Sequence, residues 1–176
     1  MIDIPVAPWE RSGALRLFCG VDLGAKGALS VIDPVAVRVM CVLPMPAVKT
    51  KVGKTDRSRL DYEGLARMLD YLEGMGVELF IAENPGAGYG AGGRQLGEQV
   101  GAFKAFVHEK RLRVEWVTPG QWKKALKVPA DKREAILRAE AIFPHDREKF
   151  KGSRGGQSDG KAEASMIGLF GGQRAL

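Results

Sequence analysis

Four carboxylates stand where the chain could put them to chemical use. Asp159 and Glu163 lie four apart at the opening of the last predicted helix, Ser158-Asp159-Gly160-Lys161-Ala162-Glu163-Ala164, so both project from one face. Like charges at that spacing repel by roughly 0.2–0.5 kcal/mol. A shared cation would turn the repulsion into a binding site, because hard divalent metals take carboxylate oxygens. The plainer alternative is two acids on a solvated face, with Asp159 near the helix N-terminus for its dipole. The apolar continuation Ala162, Met166, Ile167, Leu169 and Phe170 argues that this helix packs against something. Asp22 and Glu83 each end an otherwise apolar run; alone, the first reads equally as a turn residue before Gly24 and the second as an incidental acid at a strand exit.

The elements that must position these acids follow from periodicity. Residues 17–22, 28–32 and 35–43 read as three strands joined by short turns, an antiparallel meander. Pro44-Met45-Pro46 stops it, and 47–59 reads as a basic loop with little reason to order by itself. Asp61 can cap a helix through Leu72, with Leu65, Met68, Leu69 and Leu72 on one face and Gly74 and Gly76 beyond its end. Residues 77–83 are nearly continuously apolar and reached by a helical crossover, which predicts a buried parallel strand. A Gly-rich loop over 84–92 leads into a helix over 93–110, and 113–117 is the fifth strand. Capping boxes at Thr118-Pro119-Gly120-Gln121 and Asp131-Lys132-Arg133-Glu134 open two more helices. Residues 144–157 read as a basic, Gly-rich loop before the closing helix. The order is an α/β one: a mixed five-stranded sheet, antiparallel meander first and parallel strands after, flanked by helices. In such a sheet the first and fourth strands are parallel neighbours. The crevice at their C-terminal ends is the topological switch point where ligands bind, and it would receive both Asp22 and Glu83.

Length and charge bound the rest. The 176 residues suit one domain, with residues 1–15 as a flexible N-terminal arm and 16–176 as the folded unit. No apolar run approaches the roughly 18 residues that span a bilayer, and the N-terminal stretch has no apolar signal-peptide core. Cys19 and Cys41 fall inside predicted strands at no metal-ligand spacing, as reduced core residues of a cytoplasmic protein would. The formal charge is +6 and uneven: residues 104–154 carry 14 Lys/Arg against 7 Asp/Glu, and Lys49, Lys51, Lys54, Arg57 and Arg59 form a second cluster. Such clusters in loops suit a polyanion such as nucleic acid; an ordinary solvated surface is the alternative.

Together these residues resemble a known family. Phe18-Cys19-Gly20-Val21-Asp22-Leu23-Gly24 resembles the first acidic strand of the RuvC-type Holliday junction resolvases of the RNase H-like superfamily. Phe80-Ile81-Ala82-Glu83-Asn84 is similar to their second acidic strand, and Asp159-Gly160-Lys161-Ala162-Glu163-Ala164 to their C-terminal acidic helix. Pro119-Gly120-Gln121-Trp122-Lys123, after the fifth strand, is most similar to the plant chloroplast branch and to related bacterial and phage proteins. The likeness covers about residues 16–171, and its specificity lies in the order and spacing of the motifs rather than in any one of them. Two departures stand out. The bacterial pattern has its last two metal-site positions three apart rather than four, and the chloroplast branch has a His where Asp159 stands.

The resemblance implies an RNase H-like nuclease domain. It would be a crossover junction endodeoxyribonuclease of bacterial or phage origin that resolves four-way DNA junctions by symmetric, metal-dependent phosphodiester hydrolysis. Asp22, Glu83, Asp159 and Glu163 would hold two Mg²⁺ ions, with Mn²⁺ as a substitute. Lys132 matches a basic position near the scissile phosphate and Lys123 a backbone-contacting one. Lys51, Lys54 and Arg57 would extend the DNA contact, and Tyr89, in the Gly-rich loop, could stack on an unpaired base. In the resembled family the helix carrying Gly93, Gly97, Gly101 and Ala105 lies at a twofold homodimer interface; packing of these small residues on the chain's own sheet is the alternative. Gly88-Tyr89-Gly90-Ala91-Gly92-Gly93 also fits G-x-G-x-x-G, but four residues separate it from the strand, so no nucleotide cofactor is expected. An actin-like kinase would share Asp22-Leu23-Gly24 but needs two such domains. A non-catalytic junction-binding protein of the same fold is the rival, and loss of the acids would be its mark.

Overall fold

A computed structural model describes residues 16–52, 55–84, 93–152 and 155–176, with only the backbone at 52 and 55–57. The arm over 1–15, Lys54 and Tyr89 lie outside the described residues, and so does the side chain of Arg57. Five strands come first: β1 (Leu17–Asp22), β2 (Ala28–Asp33), β3 (Arg38–Pro44), β4 (Ala47–Val52) and β5 (Thr55–Leu60). Helix α1 (Tyr62–Gly74) crosses to β6 (Val77–Glu83), and α2 (Gly93–Glu109) crosses to β7 (Val114–Val117). Then follow α3 (Pro119–Ala125), α4 (Lys132–Ile142), a 3-10 turn (Arg147–Phe150) and α5 (Asp159–Ala175).

The main sheet has the order β3-β2-β1-β6-β7. Strands β1 to β3 are the antiparallel meander, and β1 pairs parallel with β6, which pairs parallel with β7. The mixed five-stranded sheet expected of the sequence, antiparallel meander first and parallel strands after, is therefore present, with the strand ending in Asp22 against the strand ending in Glu83. Side-chain alternation divides the core into two layers. Leu17, Cys19 and Val21 of β1, with Phe80 and Ala82 of β6, pack under α1 and α2. Phe18 of β1, with Leu79 and Ile81 of β6, faces the opposite side, where α3, α4 and α5 lie. Asp22 continues the Phe18 parity and Glu83 the Ile81 parity, so both acids end their strands on the α5 side.

Helix α5 sits unusually deep because small residues meet there. A Cβ on Gly20 would stand 1.9 Å from the Ala164 carbonyl oxygen and 2.3 Å from the Gly168 nitrogen. Glycine at 20 thus lets the helix backbone rest on β1, packing α5 mainly on β1 and β2. At the other end of the contact a Cβ on Gly160 would meet the Lys26 carbonyl oxygen at 2.1 Å, seating the helix N-terminus on the β1–β2 turn. A buried Ser30–Ser165 hydrogen bond of 2.7 Å fixes the register between β2 and α5.

Two stretches depart from the sequence expectation. Residues 47–59 are not a loop: β4 and β5 pair antiparallel from Ala47↔Leu60 to Val52↔Thr55 as a separate two-stranded sheet. The hairpin is anchored by tertiary contacts, with Met45 and Leu60 in the core and Gln95 of α2 donating to the Ser58 carbonyl at 2.8 Å. The 144–157 segment is likewise ordered at its start. Its 3-10 turn buries Phe150 against Phe143, and Asp146 accepts from Arg38, Lys149 and the Val39 amide. The third strand begins at Arg38 rather than 35, after a turn in which Val37 has φ of 52°.

Candidate active site at the ends of β1 and β6

Register places the acids side by side. Val21 pairs with Ala82, so the next residues, Asp22 and Glu83, leave adjacent parallel strands together. The Gly20 and Gly160 contacts bring the first turns of α5 over the same ends, and with them Asp159 and Glu163. The electrostatics show the convergence. Burial, then the charges of Glu163, Glu83 and Asp159, push the Asp22 carboxyl up to about 7, against the Gly24 amide. Burial also raises Glu83, with Glu163 adding to it, while Trp122 and Lys123 oppose.

Helices α3 and α4 bring cations and one aromatic donor to the acids. Helix α3 is held at both ends: Thr118 and Gln121 complete the capping box, and Val128 and Lys127 close its C-terminus onto the Lys123 and Lys124 carbonyls. Its Trp122 donates Nε1–H to Glu83 Oε2 at 2.7 Å, and its Lys123 reaches Glu163 Oε1 at 3.0 Å. Helix α4 begins at Lys132, capped by Asp131, and the Lys132 ammonium lies 2.6 Å from Asp159 Oδ2. That hydrogen bond holds Asp159 below the usual carboxylate range.

All four acids and both lysines expected at the site are thus brought together. Lys51 is exposed on β4, and register sets Arg57 opposite Thr50. The Met45 amide donates to the Gly27 carbonyl at 2.9 Å, so the hairpin springs from the same end of the sheet as the acids. Trp122 carries a contact that the motif did not assign. Its signal was available: a Trp one turn into a capped helix just past a parallel strand must find an acceptor for its N–H when buried. On α2, a Cβ at Gly97 or Gly101 would meet nothing within 4 Å, so these glycines are not explained by packing on the chain's own sheet. Among the described residues no helix is long and apolar enough to cross a membrane.

The donor set, four carboxylates with no nitrogen or sulfur ligand, is of the chemistry that suits a hard divalent cation, and burial together with the three neighbouring acids raises Asp22. Among the described residues no three His, Cys, Asp or Glu side chains stand as a group that could hold a metal ion, and Lys132 and Lys123 are paired with Asp159 and Glu163.

Comparison with solved structures finds a similar fold. The RuvC of Thermus thermophilus in complex with a Holliday junction substrate matches with a TM-score of 0.58 and 18% identity, over 88% of this chain and 91% of that one. The chain has the RuvC fold. A second Thermus thermophilus RuvC structure matches over the same shares at 18% identity, with a TM-score of 0.49. No protein-family model and no curated protein sequence matches the chain. The acidic crevice therefore lies at the C-terminal ends of the two central strands of a RuvC fold.

Proposed function

We propose that the chain is a metal-dependent endonuclease that resolves four-way DNA junctions. One observation carries the reading: four carboxylates from β1, β6 and α5 converge at the ends of the central strands, where burial first and then the charges of Glu163, Glu83 and Asp159 push Asp22 up to about 7. The fold supports it, since the RuvC structure with the higher TM-score is a complex with a Holliday junction substrate. Mg²⁺ or Mn²⁺ held by Asp22, Glu83, Asp159 and Glu163 would polarise the scissile phosphate and supply a nucleophilic water at neutral pH.

The chain's own residues do the rest. Lys132, exposed at the start of α4, turns its charge to a phosphate once Asp159 is otherwise engaged. Lys123 does the same beside Glu163. Exposed Lys124 and Lys127, with exposed Lys51 of β4, track the DNA backbone and supply salt-dependent affinity, and Lys54 and Arg57 add their charge to it. Tyr89, between β6 and α2 in the sequence, stacks on a base opened at the crossover. Two copies joined through the open glycine face of α2 would present two sites for symmetric cuts. Residues 16–176 act as one nuclease domain behind an N-terminal arm, in the cytoplasm of a bacterium or a phage-infected cell. The lysines closed onto two of the acids are what favour the rival, a junction-binding protein without catalysis.

The deciding experiment uses a synthetic immobile four-way junction with Mg²⁺. Asp22→Asn or Glu83→Gln is expected to lower single-turnover cleavage by more than about 100-fold, beyond the effect of losing a ligand's supporting partner. Junction affinity in EDTA should hold, since neither change removes a cation that faces phosphate. Cleavage by either variant at the wild-type rate would reject the site. Tight binding without cutting by the wild type would establish the rival.

A further inference from the structure

We propose that Trp122 is a positioning residue of the acidic site, orienting Glu83 through its indole N–H and Lys123 through its ring; this rests on the nuclease reading above. Trp122 is 0% exposed, the largest fully buried side chain among the described residues. It is packed in the layer that holds Ile81, Val117, Met166 and Ile167. An indole nitrogen can only donate, and it spends that donation on a carboxylate oxygen at 2.7 Å, a charge-assisted length. Packing alone would ask only for an apolar ring with any carbonyl as acceptor. The bond instead fixes one oxygen of Glu83 and thereby the direction of the other. The same ring lies 5.0 Å beneath the Lys123 ammonium, which reaches Glu163. The double clamp on α3 leaves the indole little freedom, with the capping box before it and the Lys127 turn after it. One short helix thus sets a carboxylate of β6 and a cation facing α5.

Trp122→Phe keeps an aromatic ring and deletes the N–H. Because Phe leaves some volume unfilled, benzothienylalanine placed at 122, an isostere with sulfur for N–H, is the second variant. Each is compared with the wild-type chain for Mn²⁺ binding without DNA by electron paramagnetic resonance, for junction cleavage, for junction affinity in EDTA, and for melting temperature. The expected result is a loss of about 10-fold in Mn²⁺ affinity and in cleavage, as for other groups that hold a metal ligand from behind. Junction affinity is expected to hold in both variants, and melting temperature in the isostere. Mn²⁺ affinity and cleavage in the isostere within about twofold of wild type would overturn the proposal and leave Trp122 as packing, whatever Trp122→Phe does. Wild-type protein that binds Mn²⁺ but cuts no junction would overturn the nuclease reading while the Mn²⁺ comparison still decides Trp122. Wild-type protein that binds no Mn²⁺ would overturn both.

Discussion

Asp22 and Asp146 are both carboxylates taken out of water, and the fold treats them in opposite ways. Burial raises the Asp146 carboxyl, but hydrogen bonds from Arg38 and Lys149 and from the Val39 amide outweigh it and hold the group well below the usual range. Its side chain is 1% exposed, and Arg38 bonds it at 2.8 and 3.1 Å. Asp22 has burial and three neighbouring acids raising it, with the Gly24 amide opposing. One carboxylate is neutralised by its own chain, as a structural ion pair is; the other is left with a deficit of positive charge, as a site that takes its counter-ion from outside would be.

The largest stability effect should come from breaking the balanced member. Asp146→Ala strands two cations and the Val39 amide, and is expected to cost about 2–4 kcal/mol in urea unfolding, the lower part of the range for a broken buried pair because Arg38 and Lys149 are 45% and 37% exposed. The pH dependence has a definite sign. A carboxyl held below its unfolded value contributes stability above that value, about 3.9, and loses it as pH falls towards the folded one. Wild-type protein should therefore weaken on acidification below about pH 5, and Asp146→Asn should flatten part of that slope. An Asp146→Ala chain as stable as wild type would end the claim that this carboxylate is structurally balanced.

For Asp22 the sign reverses. A group raised from 3.8 to about 7 contributes stability only while protonated, and that contribution is lost as pH climbs through the interval between the two values. In EDTA, Asp22→Asn should therefore stabilise the protein at about pH 8 by roughly 2–4 kcal/mol, an upper bound from the size of the shift, and the gain should shrink towards pH 5. Mg²⁺ should raise the melting temperature of wild type more than that of Asp22→Asn, since binding to the native state adds stability. A difference between the two chains that is the same at both pH values would remove the electrostatic account.

What could be read beforehand follows the range of the interactions. β1, β6 and α1 are legible because apolar alternation, a cap and a terminal glycine lie within a few residues of one another. The acids were legible because each ends such an element, and parallel pairing then makes neighbours of Asp22 and Glu83. The β4–β5 hairpin was not, because Lys49-Thr50-Lys51 and Asp56-Arg57-Ser58 offer no apolar face. Its order comes from cross-strand pairing and from Gln95, 37 residues from Ser58. Asp146 reads as part of a loop because its partner Arg38 is 108 residues away. The Trp122 contact spans 39 residues and joins two motifs that were each visible alone. Only the backbone of α5 against Gly20 explains why no side chain is there.

The smallest effect expected is at the third kind of carboxylate, Asp159, whose partner is its own chain's lysine but an exposed one. The Lys132 side chain is 82% exposed, so its ion pair with Asp159 contributes only about 0–1 kcal/mol to stability. Lys132→Ala should accordingly leave the melting temperature nearly unchanged, unlike Asp146→Ala. If the lysine leaves Asp159 for a phosphate whose charge grows during cleavage, its loss falls on the transition state more than on the bound ground state. Cleavage is then expected to drop by about 10-fold or more while junction affinity changes by less, measured by single-turnover kinetics and by binding in EDTA. A lysine that merely holds backbone phosphate would lower affinity and cleavage alike and reduce the slope of log affinity against log salt by about one. Equal losses with that change of slope would place Lys132 with the hairpin lysines as a general DNA contact, and would leave the deficit of charge around Asp22 for metal alone to fill.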